Sequence, residues 1–181
     1  MGIPTLRRRA VFLDRDGVLN QAIVVDGKPY SPHTLDAVII LKDAHSALSI
    51  LKQAHFLLIG ATNQPDVTRG TTTRAMVESI NKILLDALPL DEIRVCYHDD
   101  ADQCDCRKPL PGLLLQAAYE YDIDLKNSFM IGDRWKDVAA GKSAGCQTIW
   151  LNYHYQEAFL AKPPDFTTAS LLEAATWIVR S

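Results

Sequence analysis

The stretch Val11-Phe12-Leu13-Asp14-Arg15-Asp16-Gly17-Val18-Leu19 constrains this chain more than any other. A short apolar run ends at two carboxylates one residue apart, and a glycine follows. Such a run reads as a buried strand, and open α/β sheets bind ligands at the carboxyl ends of their strands. Residues two apart in a strand share a face, so Asp14 and Asp16 can reach one site. Close carboxylates repel unless a cation or a shared proton relieves them. A pair of oxygen ligands suits Mg²⁺. Asp-x-Asp-Gly is also ordinary turn chemistry, so the rest of the chain must decide.

Strand and helix patterns alternate from there on. Residues 10–13, 56–59, 93–97, 128–131 and 147–151 read as buried strands. Between and after them, residues 43–54, 73–88, 111–121, 135–144 and 169–179 read as helices. Ala44, Ala47, Leu48, Leu51 and Ala54 share one helical face. The cluster Thr71-Thr72-Thr73 offers an N-cap, Pro111 a first-turn proline and Gly145 a C-terminal stop. From Leu19 to Lys42 the chain reads as a flap, with a short hairpin around Asp26-Gly27. The alternation predicts an α/β fold with a doubly wound, mostly parallel sheet and right-handed crossovers. At 181 residues, one domain spanning 1–181 is expected.

The balance of charge excludes some classes of partner. A net charge of −3 speaks against general nucleic-acid affinity. Arg7-Arg8-Arg9 reads as a solvated lead-in rather than a binding patch. No apolar run approaches the roughly 20 residues of a membrane span, and the N-terminus shows no apolar leader. The expectation is a cytoplasmic monomer with no nucleic-acid or membrane partner.

Four polar clusters follow four of the expected strands: Asp14/Asp16, Thr62/Asn63, Arg107/Lys108 and Asp133/Asp137. In a doubly wound sheet those strand ends share one rim, so distant clusters can converge. Asp14 is the candidate nucleophile, because a carboxylate can accept a phosphoryl group. Asp16 could protonate the leaving oxygen and then deprotonate water. Thr62 and Asn63 offer a hydroxyl and an amide to phosphate oxygens. Lys108 supplies a point charge, and Arg107 can fork onto a second anionic oxygen. Asp133 would complete an Mg²⁺ shell with Asp14, with Asp137 holding that shell in place. Arg69, at a loop–helix junction, is a candidate contact for a distal phosphate.

A second constellation is Cys96-x-His98-x₅-Cys104-x-Cys106. Three thiols and an imidazole make a closed tetrahedral set, the pattern of a structural Zn²⁺ site. The loop of about 96–106 contains Asp99, Asp100 and Asp102 and has little apolar content of its own. Arg107-Lys108 follow its last ligand directly, so zinc would fix those cations. Cys146 reads as a small core residue. His33, His45, His55 and His154 have no ligand-like spacing.

The order Asp14-Arg15-Asp16-Gly17, Thr62-Asn63-Gln64, Arg107-Lys108-Pro109 and Gly132-Asp133-x₃-Asp137 resembles the haloacid dehalogenase superfamily of phosphohydrolases over about residues 9–151. The resemblance implies a Rossmann-like core, an aspartyl-phosphate intermediate and Mg²⁺ dependence, with Asp16 binding Mg²⁺ through its backbone carbonyl. The zinc loop resembles a branch without a large cap domain, which contains heptose 1,7-bisphosphate 7-phosphatases and histidinol-phosphate phosphatases. That branch implies a small phosphorylated metabolite as partner and removal of the 7-phosphate of D-glycero-D-manno-heptose 1,7-bisphosphate, with histidinol phosphate or another small sugar phosphate as the alternative. The chain departs from the heptose enzymes' pattern where Pro65-Asp66 replaces a Ser-Gly pair.

Overall fold

A computed structural model describes residues 7–157 and 162–181. Eight strands and five α-helices follow in order: β1 (Ala10–Leu13), β2 (Ile23–Val25), β3 (Lys28–Tyr30), α1 (Ala44–Gln53), β4 (Leu57–Asn63), α2 (Arg74–Ala87), β5 (Glu92–Cys96), α3 (Gly112–Tyr121), β6 (Phe129–Gly132), α4 (Trp135–Ala144), β7 (Gln147–Leu151), β8 (Phe166–Thr168) and α5 (Leu171–Arg180). Six of the strands form one sheet in the order β5-β4-β1-β6-β7-β8. Every pair in it is parallel. Strands β2 and β3 form a separate antiparallel hairpin, turning at Asp26-Gly27.

The apolar alternation of β1 explains why it is central. Val11 and Leu13 enter the core beneath α1, α2 and α5, while Ala10 and Phe12 enter the core beneath α3 and α4. A strand covered on both faces has no polar positions to spare. From β1 the chain moves outward to β4 and β5, then returns to the other side of β1 for β6, β7 and β8. That reversal opens a crevice at the carboxyl ends of β1, β4 and β6. The acids, the Thr-Asn pair and the Gly-Asp turn all follow those three strands.

Two features lay outside the sequence reading. Strand β4 continues through Asn63, because residues 60–63 pair with β5 from Ile93 to Cys96. Strand β8 is only three residues long and follows Pro163-Pro164, so it leaves little periodic signal; it pairs with β7 at the sheet edge. The Arg7-Arg8-Arg9 lead-in is exposed, as expected. Arg7 pairs with Asp122, while Arg8 and Arg9 lie over the rings of Tyr121 and Phe56.

Candidate active site

Asp14 leaves β1 with its backbone N–H donating to Ile131 O of β6 at 3.0 Å, which sets it between the two strands. Its Oδ1 accepts from the N–H of Arg15 at 2.8 Å and meets Lys108 Nζ at 2.8 Å. Lys108 is 2% exposed and reaches Asp137 Oδ1 at 2.6 Å as well. Burial works against a charged lysine, but Asp137 and Asp14 outweigh it and raise the lysine's pKa. Asp137 also accepts the N–H of Arg134 on Oδ2 at 2.9 Å, which ties it to the first turn of α4.

Asp133 is different. It is 1% exposed, and although the Tyr155 hydroxyl approaches it, neither oxygen has a hydrogen bond of good geometry among the described residues. Burial, reinforced by Asp14 and Asp137, pushes its pKa well above the ordinary carboxylate range. Asp14 is raised from 3.8 to about 6, first by burial and then by Asp137. One oxygen from each of Asp14, Asp133 and Asp137 lies within 4.8 Å of the others. Two orphaned buried oxygens beside a partly committed carboxylate fit a divalent cation with oxygen preference. Both oxygens of Asp137 are already engaged, so Asp14 and Asp133 are the better ligands and Asp137 the better holder of Lys108. Gly17 makes the arrangement sterically feasible. It sits at φ +90°, and a Cβ there would lie 2.0 Å from Asp133 Oδ2.

Asp16 sits in a cage of donors. Arg15 donates Nε to Oδ1 at 3.1 Å and Nη2 to Oδ2 at 3.0 Å. Asn20, Ser31 and Gln64 donate at 2.9, 2.7 and 2.9 Å. Burial alone would raise the Asp16 pKa, but the Arg15 charge and these hydrogen bonds bring it below the usual value. Arg15 is fully buried and also donates to Asn81 of α2 at 3.0 Å. Sequence reasoning missed this cage; a buried arginine between two acids was its only local signal.

Thr62 accepts from Gln64 at 2.9 Å, leaving its own O–H free to donate. Asn63 is engaged elsewhere than expected: its amide donates to Lys108 O at 2.9 Å and accepts from Lys108 N at 3.0 Å. It therefore pins the lysine's backbone while lining the same cavity. Arg107 lines the cavity but donates Nε to Asp100 at 2.7 Å and Nη1 to His98 O at 3.2 Å. Arg69 forks onto Asp99 with both distances 2.7 Å. These side chains enclose a cavity of about 290 Å³ that opens above Asp14, Asp16, Thr62, Lys108 and Asp133.

Beside this cavity, Cys96 ends β5 opposite Asn63 of β4. The sulfurs of Cys96, Cys104 and Cys106 lie 3.0–3.7 Å apart. His98 Nδ1 lies 3.6 Å from Cys96 Sγ and 3.3 Å from Cys106 Sγ. A tetrahedral Zn²⁺ leaves ligand–ligand edges of roughly 3.5–3.8 Å. The donor set fits that ion with a slight expansion. Burial first, and then the neighbouring sulfurs, raise the Cys106 pKa; a cation would reverse that preference.

A strand-end carboxylate held against a buried lysine, with a second, unpartnered carboxylate one strand over, defines a phosphoryl-transfer class of site. Comparison with known proteins places it more closely. A HAD-hydrolase-like family profile matches residues 105–174. The chain is 38% identical to a D-glycero-beta-D-manno-heptose-1,7-bisphosphate 7-phosphatase of Pasteurella multocida, over 76% of this chain and 77% of that one. It is 35% identical to the enzyme of that name from Yersinia pestis, over 95% and 90%. A crystal structure of D,D-heptose 1,7-bisphosphate phosphatase from B. bronchiseptica, complexed with magnesium and phosphate, superposes with a TM-score of 0.77 at 28% identity, covering 95% of this chain and 98% of that one. The chain belongs to the haloacid dehalogenase-like hydrolases, in the group of these heptose bisphosphate phosphatases.

Proposed function

We propose that the chain is an Mg²⁺-dependent phosphatase that removes the 7-phosphate of D-glycero-D-manno-heptose 1,7-bisphosphate through an aspartyl-phosphate intermediate. The single observation that carries the chemistry is the Asp14–Lys108–Asp137 line beside the orphaned Asp133. The names of the curated relatives support the substrate.

In this reading an Asp14 carboxylate oxygen attacks phosphorus, and the ester P–O bond breaks. The departing sugar oxygen takes a proton from Asp16. Water then attacks the phosphorus of the aspartyl phosphate, its proton passes to Asp16, and Asp14 and inorganic phosphate are released. Lys108 and the Thr62 hydroxyl hold the equatorial oxygens. Asp14, Asp133 and the Asp16 backbone carbonyl would hold Mg²⁺, which supplies charge neutralisation to the transferring group. The cage around Asp16 favours its carboxylate form, the form that accepts the water's proton in the second half; the proton given to the sugar oxygen in the first half must be taken up with the substrate. Cys96, His98, Cys104 and Cys106 would hold Zn²⁺ as a structural staple. No helix among the described residues is long and apolar enough to cross a membrane. We place the enzyme in the reducing cytoplasm, where zinc-bound thiols persist.

The test is a turnover panel with Mg²⁺, containing heptose 1,7-bisphosphate in both anomers, histidinol phosphate and simple sugar phosphates. The bisphosphate should give the highest kcat/KM. A preference for histidinol phosphate would overturn the substrate, and no turnover of any phosphoester would overturn the activity.

Acidification should weaken metal binding. The Asp14 pKa is raised to about 6, so below that pH the carboxyl is neutral and protons compete with the cation. Calorimetric titration of the protein with Mg²⁺ should show affinity falling as pH drops through about 6. A pH-independent affinity from 7 to 5 would contradict Asp14 as a ligand.

A further inference from the structure

The cavity carries more cations than the transfer of one phosphoryl group uses. Arg69, Arg107, Lys108, Arg134 and Lys136 all line it. Four of these are committed within the protein. Arg69 is forked onto Asp99, Arg107 donates to Asp100, Lys108 bridges Asp14 and Asp137, and Arg134 binds Glu157. Lys136 has no ion-pair partner among the described residues. The one acid that acts on it, Asp100, is already held by Arg107 at 2.7 Å.

Three local costs bear on this lysine. It lies in the first turn of α4, where the helix dipole is positive and a cation is disfavoured. It is half-buried, and burial together with the charges of Arg107, Arg134 and Arg69 disfavours its ammonium form. The Trp135 ring, 5.7 Å from Nζ, and the shared Asp100 offset part of this, but no ion pair among the described residues does. An anion in the cavity would offset all three costs together. Lys108 sits fully buried beside Asp14 for the reacting phosphate; Lys136 is the less buried cation on the same wall.

We propose that Lys136 receives the second, non-reacting phosphate of the substrate and thereby selects a bisphosphorylated sugar over its monophosphate. This assignment rests on the phosphatase reading above. It gives Lys136 the role that sequence reasoning offered to Arg69, whose guanidinium is committed to Asp99.

The test compares heptose 1,7-bisphosphate with heptose 7-phosphate, which keeps the reacting ester and lacks the second phosphate. The readout is the ratio of the two kcat/KM values, which is insensitive to the fraction of active enzyme. For the wild type the ratio should favour the bisphosphate. Lys136→Met should lower it about tenfold, the scale of one charge-assisted contact, chiefly through KM for the bisphosphate. Lys136→Arg should restore most of the ratio. Turnover with a ratio unchanged in Lys136→Met overturns this assignment alone. Failure of the wild type to hydrolyse either ester overturns both this assignment and the function on which it rests.

Discussion

Asp14→Asn should abolish turnover and leave the fold intact, with a metal-free unfolding temperature equal to or above that of the wild type. The first half follows from the attacking role proposed for the carboxylate oxygen: an amide cannot form the acyl phosphate, and kcat should fall by at least about 10³-fold. The second half follows from electrostatics. Asp14 is buried, and its pKa is raised from 3.8 to about 6. A carboxyl whose folded pKa is raised destabilises the fold when ionised. That cost is present above the folded pKa and vanishes below the unfolded one, so it amounts to something on the order of 2–3 kcal/mol at pH 7 without metal. The asparagine carries no such cost and keeps an oxygen for Lys108. Adding Mg²⁺ should reverse the order, because only the wild type gains full binding free energy. The measurements are single-turnover kinetics and thermal unfolding with and without Mg²⁺. A variant with wild-type turnover would remove Asp14 as nucleophile; a metal-free variant clearly less stable than wild type would refute the electrostatic account.

Zinc removal should have the second largest effect. Metal analysis should find about one zinc per chain, and stripping it, or making Cys106→Ser, should lower turnover by about 10²-fold or more and destabilise the protein, since metal binding is folding free energy for such a loop. The connection to catalysis is covalent and electrostatic. Arg107 and Lys108 follow the last ligand, and Asp99 and Asp100 of the same loop anchor Arg69 and Arg107. Releasing the loop therefore frees three of the cavity's cations at once. A thiol reagent gives an independent readout. In the zinc-loaded protein all four thiols should resist modification; after chelation Cys96, Cys104 and Cys106 should react. Cys146 should stay protected until the chain unfolds, because it is 5% exposed and burial pushes its thiol up to about 12. A metal-free protein with full activity and an ordered loop would refute the staple.

Much of the fold was legible because local and global signals agree. Helix α4 and strand β7 fall on the residues that periodicity marks, and Thr73 caps α2 by accepting from the N–H of Met76 at 3.1 Å. The Asp26-Gly27 turn joins a hairpin as its dipeptide suggests. What periodicity missed was short or was decided by pairing. Strand β8 has three residues, and the last part of β4 is strand because β5 lies beside it.

The site divided along the same line. Residue type and position after a strand were enough to nominate Asp14, Lys108 and Asp133, and spacing was enough to nominate Cys96, His98, Cys104 and Cys106, which the structure brings together. Type and position could not show which groups are already occupied. Asn63 holds the Lys108 backbone, Arg69 and Arg107 hold the zinc loop, and Asp16 is enclosed by Arg15, Asn20, Ser31 and Gln64. Each of these partners is supplied by a different stretch of chain, and a hydrogen bond depends on a few tenths of an ångström that no one-dimensional pattern encodes. The sequence by itself therefore determined the chemistry available: carboxylates at strand ends, cations after a thiol loop, and a parallel sheet to gather them. Only the tertiary structure decided which of those groups remain free. It did so through burial and pairing, which among the described residues leave Asp133 without a hydrogen-bond partner and Lys136 without an ion-pair partner.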